Sequence, residues 1–497
     1  MYVYFFLRGL NLLKEKGVLC YICSNSWLDV GYGGKLQEIL LRTAHVKAIF
    51  DNSAMRSFKK ADVNTTINLF VKNSTAAKQT FEKGKKLVDI TTWNTARFVM
   101  FRRPFEEAAQ AAHLRDIHSA TKITSNDNYR VYPITQKELW QAGLEEGEDG
   151  EVSFAGDKWG GKYLRAPDIF FTILEKGKDK LVRLGDIADV RFGIKTGANE
   201  FFYLDEQRIV EWKIEKEFLQ SVIKSPRECK RILIDPKELK YKIFMCHKEK
   251  KELKGTNALK YIEWGERQGF HIRSSCSGRQ RWWDLGSRAW GKVLWAMIHN
   301  DRPVAYLNLG HVVVDHNLFE IIHPSCYETW ASLCSSINVL FRELFGRANL
   351  GEGALKTEGI DIKKFFVLCP TVFNRTANEI EKIALQLNQR EGKSVYNEVG
   401  IDKNRPVRTQ QPNPLPDRKA LDDIIFDALG LTPAERKEVY WAVCELVQNR
   451  LNKAKSFSSK QRSEHDNEEE TTGAKQLQQS RSMEKAGEIK RRATKAA

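Results

Sequence analysis

Nine cysteines in 497 residues stand in no repeating framework. That excludes a disulfide-stapled secreted scaffold and fits a reducing compartment, so a cytoplasmic location is expected. Long apolar runs are also lacking. The apolar start, residues 1–7, stops at Arg8 without a basic leader or a small-residue cleavage site, and neither a secretion signal nor a membrane span is indicated. Metal-type spacing is absent too. Cys20 and Cys23 sit three apart on an expected strand, where they point to opposite faces, and His311, His316, His323, Cys326 and Cys334 lack paired short spacings, so no metal site is expected. Acid is the scarcer charge: 64 Asp and Glu face 80 Lys and Arg, leaving +16. Such a balance favours a polyanionic partner, nucleic acid first.

What is present has room for substantial cores. At 42% hydrophobic content the length corresponds to about two to four domains. Residues 17–70 organise the first of them. Residues 18–23 form a short apolar run between Gly17 and Ser24-Asn25-Ser26, the pattern of a parallel strand buried on both faces. Residues 35–44 carry a helical stripe and residues 45–50 return to strand character, giving a βαβ-like unit. Residues 55–62 are polar, basic and turn-like except for Phe58, and lead into a β-branched run at 63–71. Ahead of all this, Phe5, Phe6, Gly9, Leu10, Leu12 and Leu13 mark the face of a helix with no capping residue, as if the chain began in mid-fold.

The ordered set Tyr2-Val3-Tyr4-Phe5, residues 12–19, Ser24-Asn25-Ser26-Trp27-Leu28, Phe58 and residues 63–70 resembles the later half of TaqI-like adenine-specific DNA methyltransferases. The resemblance implies an α/β, Rossmann-like sheet that binds S-adenosylmethionine, and an Asn-Pro-Pro-Tyr loop that receives an adenine turned out of the duplex. On this likeness Phe5 would lie against the adenine ring of the cofactor and Phe58 would stack on the flipped base. An aromatic face would offset part of the unstacking cost. Read from its residues alone, Phe58 is better taken as an ordinary loop-anchoring core residue. The cofactor glycine loop and the Asn-Pro-Pro-Tyr string are both missing. Asn413-Pro414-Leu415-Pro416 lies in a proline-rich linker, and Gly31-Tyr32-Gly33-Gly34 lacks the six-residue fingerprint and reads as the turn that starts a helix.

Further along, residues 87–93 suggest one more strand, and 101–128 read as a charged linker closing a partial catalytic domain at 1–100. Strand character at 129–134 and a Thr135–Glu138 capping-box spacing follow. Residues 143–156 read as an acidic, glycine-rich loop. Residues 180–203 have the pattern of a hairpin around a glycine loop, similar to the opening of target recognition domains in these methyltransferases and in restriction specificity subunits. Residues 349–356, 360–363 and 367–370 resemble the closing part of that domain, which makes 129–405 an expected α+β target recognition domain.

Within it Lys195, Thr196, Asn199 and Lys356 offer donors to phosphates, although two tight turns with solvated cations would look the same. Between them, Arg279, Arg281 and Arg288 are the expected DNA contacts, while Trp290 and Trp295 read as core. Residues 406–417 form a proline-rich linker, 418–456 a helical pair with Gly430 and Thr432-Pro433-Ala434-Glu435 at its joint, and 457–497 a disordered tail. The expected function is a site-specific adenine DNA methyltransferase, inactive as this chain alone, acting on double-stranded DNA, with S-adenosylmethionine and an upstream polypeptide carrying the N-terminal half as candidate partners. A non-catalytic DNA-binding specificity module is the alternative.

Overall fold

The structure is a computed structural model that describes residues 2–55, 58, 63–73, 94–146, 151–347 and 353–454. The strand expected at 87–93 and the disorder expected at 457–497 lie outside the described residues.

Six strands make the first sheet: β1 (Val18–Ser24), β2 (Ala44–Asn52), β3 (Thr65–Lys72), β4 (Thr95–Phe101), β5 (Thr124–Ser125) and β6 (Tyr129–Thr135), in the order β1-β3-β2-β4-β6-β5. β3 runs antiparallel to both β1 and β2, and β2 is parallel to β4. It follows that β1, β2 and β4 point the same way and end on one edge of the sheet. The expected βαβ unit is therefore a split one, with β3 inserted between its two parallel strands.

β1 corrects an expectation. Among the described residues it is an outer strand, paired with β3 alone, and not a strand buried on both faces. Val18, Cys20 and Ile22 form a row on an open face, with Val18 57% and Ile22 50% exposed. The other face meets α1 (Tyr2–Leu12): Phe6 packs edge-on to Tyr21 at 4.9 Å between ring centroids, and Gly9 lies against Leu19. An apolar run in the sequence reports hydrophobicity but not whether a neighbour covers it, which is why Cys20, expected in the core, is outside.

The helix α2 (Gly33–Thr43) buries Leu36, Leu40 and Leu41. Its start needs glycine: a Cβ on Gly33 would stand 1.8 Å from the Trp27 carbonyl oxygen, and one on Gly34 would stand 2.3 Å from that of Ala155. This fits the reading of a helix-start turn and leaves these glycines no free backbone for a phosphate.

The boundary expected after residue 100 falls inside the sheet. β4 and β6 pair in continuous register from Thr95–Thr135 to Phe101–Tyr129. Residues 102–123 leave the sheet, carry the helices Phe105–Ala108 and Ala111–Ser119, and return through β5, which pairs with β6. Their alternating charge reflects solvent-facing helix surface. At the end of β6 the capping box forms as expected, with Glu138 N donating to Thr135 Oγ1 at 3.2 Å and Thr135 N to Glu138 Oε2 at 2.9 Å. The stretch at 143–156 is a hairpin, Leu144–Glu146 paired with Val152–Phe154, where a loop was expected.

The following part holds two four-stranded sheets. One contains Asp189–Phe192, Leu318–Ile322, Val293–Ala296 and Tyr306–Leu307; the other contains Tyr203–Leu204, Tyr241–Phe244, Leu219–Ile223 and Val313–Val314. The two ends of the expected hairpin at 180–203 thus sit in different sheets. The hairpin pattern was right about extended segments around glycine and wrong about their pairing, because each segment finds its partner far away, at 319–322 and 242–243. The opening and closing segments do meet: Leu181–Arg183 pairs antiparallel with Phe366–Leu368.

The helix Pro416–Leu429 ends at Gly430 (φ +66°), and residues 433–454 are helical after a Thr432/Glu435 capping box. Leu421, Ile424, Ile425, Val439, Val443 and Val447 enter the same core as Trp295, Trp330 and Phe341. The pair is therefore built into the part that follows the first sheet. That part is locked to the first sheet by Lys158, whose Nζ donates to Asp29 O at 2.5 Å, Phe345 O at 3.2 Å and Asp361 Oδ1 at 2.6 Å. Asp29 also accepts from Gly161 N at 2.9 Å and Arg165 Nη2 at 3.0 Å. A buried cation with three oxygen partners and a carboxylate at contact is satisfied only in this relative placement, since removing one partner strands the other charge away from water.

Candidate nucleic-acid interface

The carboxyl ends of β1 and β2 set the site. After β1, Ser24-Asn25-Ser26 tightens into a turn in which Ser24 Oγ accepts from Ser26 N at 3.3 Å, so Trp27 and Leu28 drop into the core. Asn25 N donates to Asn64 O at 2.9 Å, tying the end of β1 to the approach to β3. After β2, Asn52 Oδ1 accepts from Ala54 N at 2.7 Å and Met55 N at 3.2 Å, an Asx turn. Asp51 and Asn52 are each 2% exposed. The Oδ1 of Asn64 is buried without a hydrogen-bond partner among the described residues.

These turns open on a cleft of about 830 Å³. Its walls come from the sheet edge (Asn25, Ser26, Asp51, Ser53, Asn64, Arg102, Arg130), from the recognition part (Arg165, Glu343, Arg347) and from the C-terminal helix (Asn449, Arg450, Asn452, Lys453). Lys453 Nζ reaches the tip of β2, donating to Asn52 O at 2.7 Å with Asp51 Oδ1 at 3.3 Å. Arg450 holds the helix to the recognition part through Glu343 at 2.7 Å and Asn300 O at 2.6 Å. Burial, together with the field of Arg130 and Arg408, lowers the Arg102 pKa from its usual value, while Glu445 opposes the shift.

Phe58 is 47% exposed, and Phe5 is 57% exposed on the outer side of α1. The neighbouring Phe6 is the ring that the core takes, against Tyr21, Trp27 and Phe70.

In the recognition part, Lys195, Thr196, Asn199 and Arg279 come together. Arg279 Nη2 donates to the carbonyl oxygens of Lys195 and Thr196 at 2.9 and 2.8 Å, and its Nη1 to Trp282 O at 3.1 Å. Thr196 is buried and its hydroxyl bonds Asn199 Oδ1. Gly197 (φ +79°) has no room for a side chain, with Ser275 Oγ 2.4 Å from the position of a Cβ. Lys195 and Asn199 remain exposed at the surface of this braced loop. Arg281 is taken up by Asp284 and Glu249, both at 2.6 Å. Burial raises the Asp284 pKa, but bonds from Arg281, Gly286 N and His247 outweigh it and hold the carboxyl below its usual value. Arg288 pairs with the buried Glu320 and donates to Phe192 O at 2.7 Å. Lys356 lies apart from these, pairing with Glu358 at 2.6 Å. Trp295 is buried as expected and Trp290 is half-buried under Arg288.

The residue pattern did not point to Arg102, Arg130, Asn449 or Asn452. Arg102 was legible only as a cation beside Pro104 in a stretch that reads as a linker, and nothing in the spacing of the C-terminal helix links it to β2. Among the described residues no group of three or more His, Cys, Asp or Glu is placed to hold a metal, and no helix is long and apolar enough to cross a membrane.

The described residues do not make a cradle for S-adenosylmethionine by themselves. Gly33 and Gly34 are filled by Trp27 and Ala155 backbone, and Phe5 offers a single apolar wall.

Two family models match the chain: the Eco57I restriction-modification methylase over residues 1–58, and the C-terminal domain of the type II methyltransferase M.Eco57I over residues 156–401. Over these two stretches the chain is similar to methyltransferases of restriction-modification systems, of the Eco57I type. No curated protein matches it. Among solved structures it is similar to the type IIG restriction endonuclease BpuSI (12% identity, TM-score 0.44, 91% of this chain and 49% of that one). It is also similar to the type IIL restriction-modification enzyme MmeI in complex with DNA (9% identity, TM-score 0.44, 89% of this chain and 52% of that one). The chain thus spans about half the length of these proteins.

Proposed function

We propose that this chain is the base-receiving and DNA-recognising portion of a site-specific adenine DNA methyltransferase, which transfers the methyl group of S-adenosylmethionine to the adenine 6-amino group. The observation that carries the reading is the convergence of the β1 and β2 carboxyl edge, the recognition part and the C-terminal helix on one cleft. Ligands of open α/β sheets bind outside the carboxyl ends of the strands. A base turned out of the duplex needs an aromatic face and hydrogen-bonding groups there; in this reading Asn25, Asp51 and Asn64 supply the polar groups and Phe58 the aromatic face. Lys195 and Asn199, held out by the Arg279 brace, contact the phosphate backbone in this reading, and Lys356 adds a cation at a second point. Arg279, Arg281 and Arg288 act by shaping the surface, because their donors are engaged within the chain.

The cofactor site requires elements that add beside β1, where the sheet is open, and Phe5 lines that side. A polypeptide segment carrying a glycine loop and an Asn-Pro-Pro-Tyr loop completes the enzyme, whether joined to this chain or separate from it. A DNA-binding module without catalysis is the second reading, favoured by the filling of Gly33 and Gly34. Incorporation of labelled methyl groups into mixed-sequence DNA, followed by nucleoside analysis, separates the two. N6-methyladenine formed only when the complementing segment is present supports the first; DNA binding with no methylation under either condition supports the second.

A further inference from the structure

We propose that the C-terminal helix, residues 433–454, is a DNA-contacting element whose amide pair Asn449 and Asn452 works with Arg102 across the cleft. The inference rests on the reading of the cleft as the seat of DNA.

The helix is held at two points by the neighbours of the amides. Arg450 is bound to Glu343 and Asn300 O, and Lys453 to Asn52 O and Asp51. Two anchors on consecutive turns fix the helix rotation, and that rotation leaves Asn449 and Asn452, three residues apart and so on one face, lining the cleft and exposed. Among the described residues neither amide side chain has a hydrogen-bond partner. Each offers a donor pair and an acceptor, the equipment that bonds a phosphate oxygen or the edge of a base.

Arg102 complements them. It is exposed in the same cleft and donates to neutral groups alone, Asn126 O at 2.7 Å and Ser125 Oγ at 2.8 Å, with no ion-pair partner among the described residues. The nearby Glu445 and Glu438 are already claimed by Arg408, at 2.7 to 3.0 Å. By contrast, the cleft's Arg165, Arg347, Arg450 and Lys453 are all paired to carboxylates. A guanidinium without an ion pair, in one cleft with two open amides, fits a phosphodiester, which needs one charge and several donors. The occupant is therefore the DNA backbone beside the nucleotide received at the carboxyl edge of β1 and β2.

The test uses the full chain and a mixed-sequence duplex, read by fluorescence anisotropy over a range of salt, with thermal unfolding as a check on folding. Three variants are compared: Asn449→Ala with Asn452→Ala, Arg102→Gln, and Asn397→Ala, an exposed amide outside the cleft. The amide double variant is expected to weaken binding about fivefold or more, the effect of removing two hydrogen bonds. Arg102→Gln is expected to flatten the logarithmic salt slope by about 0.9, the effect of neutralising one phosphate fewer. Asn397→Ala should match the wild type. If the double variant unfolds, the Arg102→Gln slope decides. Wild-type binding with unchanged affinity in the double variant and unchanged slope for Arg102→Gln overturns the proposal and leaves the cleft reading standing. Absence of wild-type binding overturns the reading on which it rests.

Discussion

Arg279 holds the backbone of Thr196: its Nη2 donates to the Thr196 carbonyl oxygen at 2.8 Å across 83 residues of sequence, and to Lys195 O beside it. The arginine that reads as a DNA contact is the brace of the loop that presents Lys195 and Asn199. Arg279→Ala should therefore act twice, loosening the loop and weakening DNA binding. Loss of hydrogen bonds from a charged donor costs about 1.5–3 kcal/mol when buried, and less here because the side chain is only half-buried. Limited proteolysis near residue 196 should accelerate while Lys475→Ala with Lys485→Ala, in the tail, leaves it unchanged. Unaltered proteolysis with weaker binding would instead make Arg279 a direct contact.

Duplex binding should be steeply salt-dependent. Each neutralised phosphate releases counterions and adds about 0.9 to the slope of log affinity against log salt. The +16 charge favours association, but many cations on the described surface are paired with carboxylates, so the slope should fall well short of the net charge. A titration at several salt concentrations gives it directly. A slope near zero would mean that the basic balance serves solubility and not nucleic acid.

Acid should loosen the joint between the recognition part and the helical pair. Glu398 is buried and meets Arg390 at 2.7 Å and Arg418 at 3.2 Å. Burial alone would raise its pKa, yet the Arg390 bonds and the Arg418 charge outweigh it and bring the value down to about 2. A depressed carboxylate gives stability that is full above its unfolded pKa, near 4.5, and lost as the pH falls from there toward 2. The contribution is about 3 kcal/mol. The midpoint of urea unfolding should fall across that window, and Glu398→Gln should lower the midpoint at neutral pH while flattening its acid dependence. An unchanged acid slope in the variant would assign the loss to other groups.

Much of the local structure was legible because its causes are local. The Thr135–Glu138 box, the Gly430 cap and the Thr432 start depend on residues within four positions of one another, and all three form. The partners of strands were not legible. Nothing in residues 102–128 announces that Phe101 will pair with Tyr129, and the glycine loop at 193–197 looks the same whether its flanks pair with each other or with separate sheets. The arginine–tryptophan stretch shows the same limit from the side of function. Composition marks Arg281 and Arg288 as cations, whereas their roles depend on Asp284, Glu249 and Glu320, two of which lie more than thirty residues away.

Gly33→Ala should be one of the most damaging single-atom additions in the first sheet. The new Cβ would fall 1.8 Å from the Trp27 carbonyl oxygen, a backbone atom that cannot step aside without moving Trp27, which is fully buried between Phe6 and Trp159. Overpacking of this kind costs about 1–3 kcal/mol or more. Gly31→Ala, at a position with open space, is the paired control. A drop in the unfolding midpoint for Gly33→Ala alone is expected, and equal midpoints would show that the turn has slack.

The open side of β1 should govern association. Val18, Cys20 and Ile22 make an apolar row on a strand with one edge free among the described residues, and the adjoining α1 exposes Tyr4 at 75%, Phe5 at 57% and Leu12 at 69%. An uncovered strand edge beside apolar side chains is a template for another strand, and such a patch favours association. By itself the chain should self-associate at micromolar concentration and fail to methylate DNA. With a complementing methyltransferase segment, the same edge should be covered and activity should appear. Ile22→Lys places a charge on the open face of the edge strand, opposite Ile67 across the pairing with β3, without entering the core. It should return the chain to a monomer in analytical ultracentrifugation and also block complementation, while DNA binding through the recognition part persists. Self-association that survives Ile22→Lys would place the sticky surface elsewhere. Activity of the purified chain without any complementing segment would show that a cofactor site lies within these 497 residues and that β1 is a finished edge.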